Sequence, residues 1–111
     1  MKVTVYAMSV PVALPTDMRE AWLELLPYQR RLRCLRELEH KQVQTLCAYA
    51  LLREMLRREY GLDELPAIEV AGEGKPYFPQ YPQIHFNLSH TDGAALCAVS
   101  AAVLAVSASV T

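Results

Sequence analysis

The sequence predicts an α+β fold in which an antiparallel sheet packs against one long helix. Three observations favour it: an alternating strand opens the chain, helical periodicity dominates the middle, and short apolar runs separated by Gly, Pro and Asp fill the last part. The order of one strand, then helices, then a meander of strands is typical of α+β domains. We expect residues 1–111 to form a single domain in which residues 101–111 are an atypical tail.

The first third of the chain predicts one strand and two short helices. Val3–Met8 alternates apolar and polar residues, as a half-buried strand does. Asp17 is expected to cap a helix from Met18 to about Leu26, with Glu20 as its partner in a capping box. Pro27 suits the first turn of a second helical stretch.

A long helix is predicted from about Lys41 to Tyr60, ended by Gly61. Its apolar residues keep mostly to i, i+3, i+4 spacing, which predicts a core-facing side: Val43, Leu46, Cys47, Ala50, Met55 and Leu56. Arg53, Arg57 and Arg58 fall on the other side, and the simplest interpretation is a solvated basic face. After Pro66 the pattern changes to short strands at Ala67–Ala71, Tyr77-Phe78, Ile84–Leu88, Ala95–Val99 and Val103–Val110.

Composition and charge narrow the function class. The 111 residues are 52% hydrophobic and 21% charged, with a net charge of −1, which predicts a globular protein without general attraction to nucleic acid or an anionic membrane. Cys34, Cys47 and Cys97 are widely spaced, so we predict reduced thiols and a cytoplasmic protein. The uncharged stretch Ala94–Val110 is 17 residues long, slightly short for a membrane span, and none is expected.

Gly74-Lys75-Pro76 is the first candidate binding segment. A glycine before the lysine and a fixed φ after it let the backbone approach a ligand while the ammonium points at it. Lysine is a point cation that suits phosphate. The alternative is a solvent-exposed turn lysine, which is the commoner case when such a lysine is taken alone; the spacing of a P-loop is absent.

Ser89 and His90 form the second candidate, at the end of a short apolar strand. A hydroxyl and an imidazole both donate to anionic oxygens, although the pair also suits an ordinary turn. Adjacent strand residues point to opposite faces, which argues against a hydrolytic dyad. His85 lies five residues before His90, and this odd spacing places the two side chains on opposite faces of a strand, which argues against a metal site shared by both. His40 is expected at the surface.

These motifs, taken in order, resemble the N-terminal half of Sfp-type 4′-phosphopantetheinyl transferases, which move the phosphopantetheine arm of coenzyme A onto a carrier-protein serine. The matching segments cover most of residues 1–100: the first strand, the basic stretch after Leu26-Pro27, Gln44-Thr45-Leu46, Leu51-Leu52-Arg53, Gly74-Lys75-Pro76-Tyr77, His85-Phe86-Asn87-Leu88-Ser89-His90-Thr91 and Leu96-Cys97-Ala98-Val99-Ser100.

The resemblance implies a coenzyme A site. It places Lys75 and Pro76 beside the nucleotide, Ser89 and His90 on the phosphates, and Thr45 near the 3′-phosphate. Arg30, Arg31 and Arg33 lie where the family supplies further cations. The implied cofactor-binding set is Arg30, Arg31, Thr45, Gly74, Lys75, Pro76, Ser89 and His90. The implied partner is an acyl or peptidyl carrier protein, and the implied fold is one half of a pseudo-dimer.

Two departures from the family pattern bear on activity. Gln44 stands at a position that is commonly arginine, so one phosphate contact is expected to be weakened. Ser107 and Ser109 stand where an aspartate and a glutamate bind Mg²⁺ in the family, and neutral hydroxyls are poor Mg²⁺ ligands. We therefore expect weak coenzyme A binding, negligible transfer by this chain alone, and self-association through the face that a second half would cover.

Two alternatives stay open at this point. One is a non-catalytic α+β module that binds a nucleotide or a partner protein. The other is a truncated or frameshifted form of a full-length transferase, to which the loss of charge after Asp92 points.

Overall fold

The computed structural model describes residues 2–101. Its elements follow the order β1 (Lys2–Ser9), α1 (Thr16–Leu25), α2 (Tyr28–Leu35), α3 (Glu39–Tyr60), β2 (Glu69–Val70), β3 (Pro76–Tyr77), β4 (Ile84–His90) and β5 (Ala94–Ala101). The predicted α+β class, with an antiparallel sheet on a long helix, is confirmed. The predicted strand at Val103–Val110, with Ser107 and Ser109, lies outside the described residues.

Strand β5 lies between β1 and β4 and is antiparallel to both. One side of β5, formed by Ala95, Cys97 and Val99, is buried against the rest of the chain, because alternate strand residues face opposite sides. The other side of the sheet faces solvent and carries apolar groups, of which Val5 is 60% and Leu96 45% exposed. Strands β2 and β3 pair separately as a short antiparallel ladder.

Helix α3 packs on the inner face of the sheet and supplies most of the core. Gly61 ends it in the left-handed region at φ 69°, and its N–H donates to the Arg57 carbonyl, as the sequence predicts. The helix begins at Glu39, two residues before the predicted start. Its fully buried apolar residues include Val43, Leu46, Cys47, Leu52, Met55 and Leu56. Among residues 2–101, no helix has both the length and the hydrophobicity to cross a membrane.

The predicted cap of the first helix is wrong. Helix α1 begins at Thr16 with Pro15 at its N-cap, and no described side chain caps it. Asp17 is already inside the first turn, where its Oδ1 accepts the neighbouring Met18 N–H at 2.9 Å. A proline can precede the helix because it has no N–H to satisfy. Pro27 likewise stands at the N-cap of α2, one position before the predicted first turn.

The three cysteines are buried, unpaired thiols. Burial raises the pKa of Cys34 and of Cys47, and it raises the pKa of Cys97 from 9.0 to about 12. A raised pKa disfavours the nucleophilic thiolate, so these side chains act as small core residues. The Cys97 thiol lies 3.7 Å from the Met55 sulfur, between sheet and helix.

Candidate functional site

A cavity of about 630 Å³ opens between α2, α3, the β2–β3 ladder and β4. We call it the basic cleft, because four of its lining side chains are cationic or become so on protonation: Arg30, Arg33, Arg36 and His90. Its other walls are largely apolar, from Leu32, Tyr49, Ile68, Val70, Phe86 and Leu88. The volume falls within the range of small-molecule and cofactor sites.

Arg30 lies in the cleft with part of its charge unsatisfied. Its Nη1 is buried and has no hydrogen-bond partner among residues 2–101. The guanidinium carbon lies 5.8 Å from the centre of the Tyr49 ring, close enough for a cation–π contact that holds the group in place. A buried guanidinium nitrogen without a partner is costly, and an anionic oxygen in the cleft would remove that cost.

Thr45 reaches the cleft from the second turn of α3, but its hydroxyl is already engaged. The side chain is 1% exposed, and Oγ1 donates to Glu37 Oε1 at 3.1 Å. Because that hydroxyl has a single proton, it must turn away from Glu37 before it donates to a ligand. The contact places the Glu37 carboxylate beside a residue that lines the cleft.

His90 is fixed at the end of β4 by a buried amide. Its Nδ1 lies 2.9 Å from Gln44 Oε1, and Gln44 Nε2 donates to Asp92 Oδ1 at 2.8 Å. Gln44 is a residue of α3 that is 2% exposed, so its contact with His90 joins β4 to α3 beside the cleft. Gln44 therefore supports the histidine from the helix.

The glycine-lysine-proline segment forms a tight turn at the rim. Gly74 has φ 92°, a value that favours glycine, and its N–H donates to the Ala71 carbonyl at 2.8 Å. Gly74 and Pro76 line the basic cleft. Lys75 lies instead in a neighbouring, smaller cleft that His85 also lines.

Of the eight residues that the sequence predicts for the site, five line the basic cleft: Arg30, Thr45, Gly74, Pro76 and His90. The structure places Arg31, Lys75 and Ser89 elsewhere. Arg31 donates to the backbone carbonyls of Leu23, Glu24 and Leu26, which ties α2 to α1. Ser89 is exposed on the outer side of β4, opposite His90, as strand parity requires.

Sequence reasoning missed three features of the cleft. Arg36 lines the cleft but is absent from the predicted site. It lies three residues after Arg33, so helical spacing could have placed the two on the same side of α2. The second missed feature is the contact of Tyr49 with Arg30, since in the sequence Tyr49 is one more apolar residue of α3. The link from Gln44 to Asp92 joins residues far apart in the chain, and no local pattern marks it.

Two of the three arginines on the predicted basic face of α3 are paired within the helix, whereas Arg53 Nε is buried without a partner among residues 2–101. Arg57 and Arg58 both donate to Glu54, with contacts of 2.6 Å to Oε2. The two guanidiniums hold the pKa of Glu54 down at about 2. Neither arginine lines the basic cleft, so the solvated-face interpretation of these residues fits the structure.

Fold and cleft together define an α+β chain with a cationic, partly apolar binding site. Comparison with characterised proteins gives two relatives from Bacillus subtilis. A 4′-phosphopantetheinyl transferase is 31% identical over 98 residues, which are 86% of this chain and 43% of that protein. The 4′-phosphopantetheinyl transferase Sfp of strain 168 is 30% identical over 97 residues, 85% of this chain and again 43% of the relative.

The chain thus resembles the 4′-phosphopantetheinyl transferases, and the resemblance inferred from its motifs is confirmed. The chain spans less than half the length of the curated relatives it matches. A comparison with models of known protein families gives no match.

Proposed function

We propose that the basic cleft binds coenzyme A and that this chain contributes the coenzyme A side of a 4′-phosphopantetheinyl transferase. The observation that carries the proposal is Arg30 of the cleft, whose guanidinium Nη1 is buried and lacks a partner among the described residues. Such a group fits a phosphate oxygen better than a neutral ligand. The similarity to the two Bacillus subtilis transferases supports the same ligand.

The two kinds of lining match the two kinds of group in coenzyme A. Its 3′-phosphate and diphosphate are strongly anionic, and Arg30, Arg33, Arg36 and His90 supply donors for them. Its adenine is a flat ring that suits the apolar part of the cleft, which includes Ile68, Val70 and Phe86. The turn at Gly74 and Pro76 closes the rim between these parts.

The reaction that the resemblance implies has a carrier-protein serine attack the β-phosphate of coenzyme A, so that 3′,5′-ADP leaves. In that reaction the arginines of the cleft would hold the phosphates and spread their charge. Residues 2–101 hold no group of three His, Cys, Asp or Glu side chains placed to hold a metal ion. An acyl or peptidyl carrier protein is the proposed partner.

Calorimetry with coenzyme A tests the proposed function. We expect saturable binding, and weaker binding of dephospho-coenzyme A because it lacks the 3′-phosphate. The absence of binding heat with coenzyme A would contradict the proposal and favour an interaction module without a nucleotide site. Incubation with apo-carrier protein, coenzyme A and Mg²⁺, followed by mass measurement of the carrier, tests the sequence-based prediction of negligible transfer; full conversion would contradict it.

Self-association through the outer face of the sheet is a further part of the proposal. This face carries Val3 and Val5, about 60% exposed each, and Leu96 on the neighbouring strand. In the family two similar halves form a pseudo-dimer, and a second copy of this chain would cover the same kind of apolar surface.

Light scattering measures this self-association. We expect dimers or larger species at micromolar concentration, and a shift toward monomer in the Val5→Lys variant, which places a charge in the face. Tyr28→Lys, at a side chain 64% exposed on α2, is the control that leaves the sheet intact. A monodisperse monomer of the unaltered chain would contradict the proposal.

A cytoplasmic location stays a prediction. The buried, unpaired state of Cys34, Cys47 and Cys97 supports it, since a reducing compartment preserves such thiols.

A further inference from the structure

Gln44 is a buried polar residue whose two amide atoms have different partners. Its Nε2 donates to Asp92 Oδ1 at 2.8 Å, and its Oε1 lies 2.9 Å from His90 Nδ1. The residue is 2% exposed, so water does not compete for either atom. The cleft-lining histidine is therefore joined to a carboxylate through a single amide.

The order of donors along this link follows from the carboxylate. An ionised Asp92 only accepts hydrogen bonds, so the amide nitrogen of Gln44 must face it. The amide oxygen then faces His90, and an oxygen only accepts. His90 Nδ1 must therefore carry a proton whether the ring is neutral or charged.

We propose that Gln44 is a positioning residue that fixes the proton of neutral His90 on Nδ1 and leaves Nε2 for the ligand in the cleft. A neutral ring held this way has a bare Nε2, which is an acceptor and cannot donate to a phosphate oxygen. His90 then binds an anion only as the imidazolium, and anion binding takes up a proton. This second step rests on the proposed function.

The surroundings of His90 are consistent with a ring that changes charge when the ligand arrives. Asp92 is linked to it through Gln44, and Arg30, Arg33 and Arg36 line the same cleft. A phosphate bound among these groups needs a donor at His90 Nε2, and only the doubly protonated ring provides one when Nδ1 faces Gln44 Oε1.

The arrangement depends on the residue type at position 44. In the resembling family the position is commonly arginine, whose guanidinium has donors and no acceptor. An arginine would leave Nδ1 to accept and Nε2 to carry the proton, so that the neutral ring donates to phosphate directly. Glutamine at this position reverses the donor and acceptor roles of the two ring nitrogens, and it is itself buried.

Nuclear magnetic resonance of ¹⁵N-histidine-labelled protein tests the tautomer without any ligand. Long-range proton–nitrogen correlations at about pH 8.5, where ordinary histidines are neutral, identify the protonated nitrogen of each ring. The chain has three histidines, and the His90→Asn variant assigns the signals of His90. We expect the proton on Nδ1 in the unaltered chain; a proton on Nε2 would overturn the proposal.

Two buried glutamines of α3 provide matched variants. Gln44→Leu removes the acceptor and is expected to move the His90 proton mainly to Nε2. Gln42→Leu removes a glutamine that is 7% exposed and donates to the Glu37 carbonyl, and it should leave the His90 tautomer unchanged. An unchanged tautomer in Gln44→Leu, with native circular dichroism, would contradict the positioning role.

Calorimetry of coenzyme A binding at about pH 7.5, in buffers of different ionisation enthalpy, measures the proton uptake. We expect uptake of up to one proton by the unaltered chain and less by Gln44→Leu. Binding without uptake would overturn the coupling. If coenzyme A does not bind at all, the proposed function fails, and the ligand-free tautomer still decides the role of Gln44.

Discussion

Replacing Arg30 with methionine is expected to weaken coenzyme A binding about 10- to 100-fold, the range for losing a hydrogen bond to a charged group. Arg30 Nη1 is buried in the basic cleft and has no partner in the described part of the chain, so a phosphate is its natural acceptor. Methionine keeps most of the apolar stem of the side chain but removes the guanidinium that lies over Tyr49. Calorimetry measures the effect.

Arg31→Met is the matched control for this prediction. It removes the same charge from the next residue of α2, but that guanidinium donates to backbone carbonyls of the α1–α2 region, including those of Leu23 and Leu26. We expect lower stability and an affinity within about twofold of the unaltered chain. Equal losses of coenzyme A affinity in Arg30→Met and Arg31→Met would show that the net charge of the chain, and not the cleft, attracts the ligand.

Replacing Leu52 with alanine is expected to lower the free energy of unfolding by about 2–5 kcal/mol. Leu52 is 0% exposed in α3, where its side chain packs in the core between helix and sheet, and truncation leaves a cavity that the close-packed surroundings fill only in part. The total free energy of unfolding of a small domain is about 5–15 kcal/mol, so this loss is a large share of it. Urea unfolding followed by circular dichroism measures it.

Leu35→Ala is the control for the core prediction. Leu35 is 53% exposed at the end of α2, and the same chemical change there should alter stability by less than about 0.5 kcal/mol. A loss at Leu52 no larger than at Leu35 would mean that α3 does not pack on the sheet as described.

The elements with strong periodicity could be predicted from the sequence. Helix α3 has apolar residues at helical spacing over five turns and a glycine at its end, so its course and its stop were both foreseeable. The cap of α1 was not foreseeable, because Asp17 fits the capping pattern while the actual N-cap, Pro15, lies two residues earlier. Local sequence patterns do not decide between helix starts that lie one or two residues apart, because such starts differ little in free energy.

Part of the lining of the basic cleft could be predicted from the sequence, but the contacts of its residues could not. The motifs pointed to a cationic site, and Arg30, Thr45 and His90 do meet there. Arg31 does not, since consecutive residues of a helix diverge by about 100° and the register of α2 was unknown. The support that Gln44 gives His90 depends on how helix and strand pack, which no single segment of the sequence encodes.

The central place of β5 has a consequence for synthesis on the ribosome. Strand β1 pairs with β5, Lys2 opposite Ala101 and Ser9 opposite Ala94, so among the described strands the first to be synthesised pairs with the last. During translation β1 therefore waits with an open edge while the helices form, because helices need only local contacts. The nascent chain is most exposed to aggregation or chaperone capture in that interval, and a codon-dependent delay before residue 94 would lengthen it.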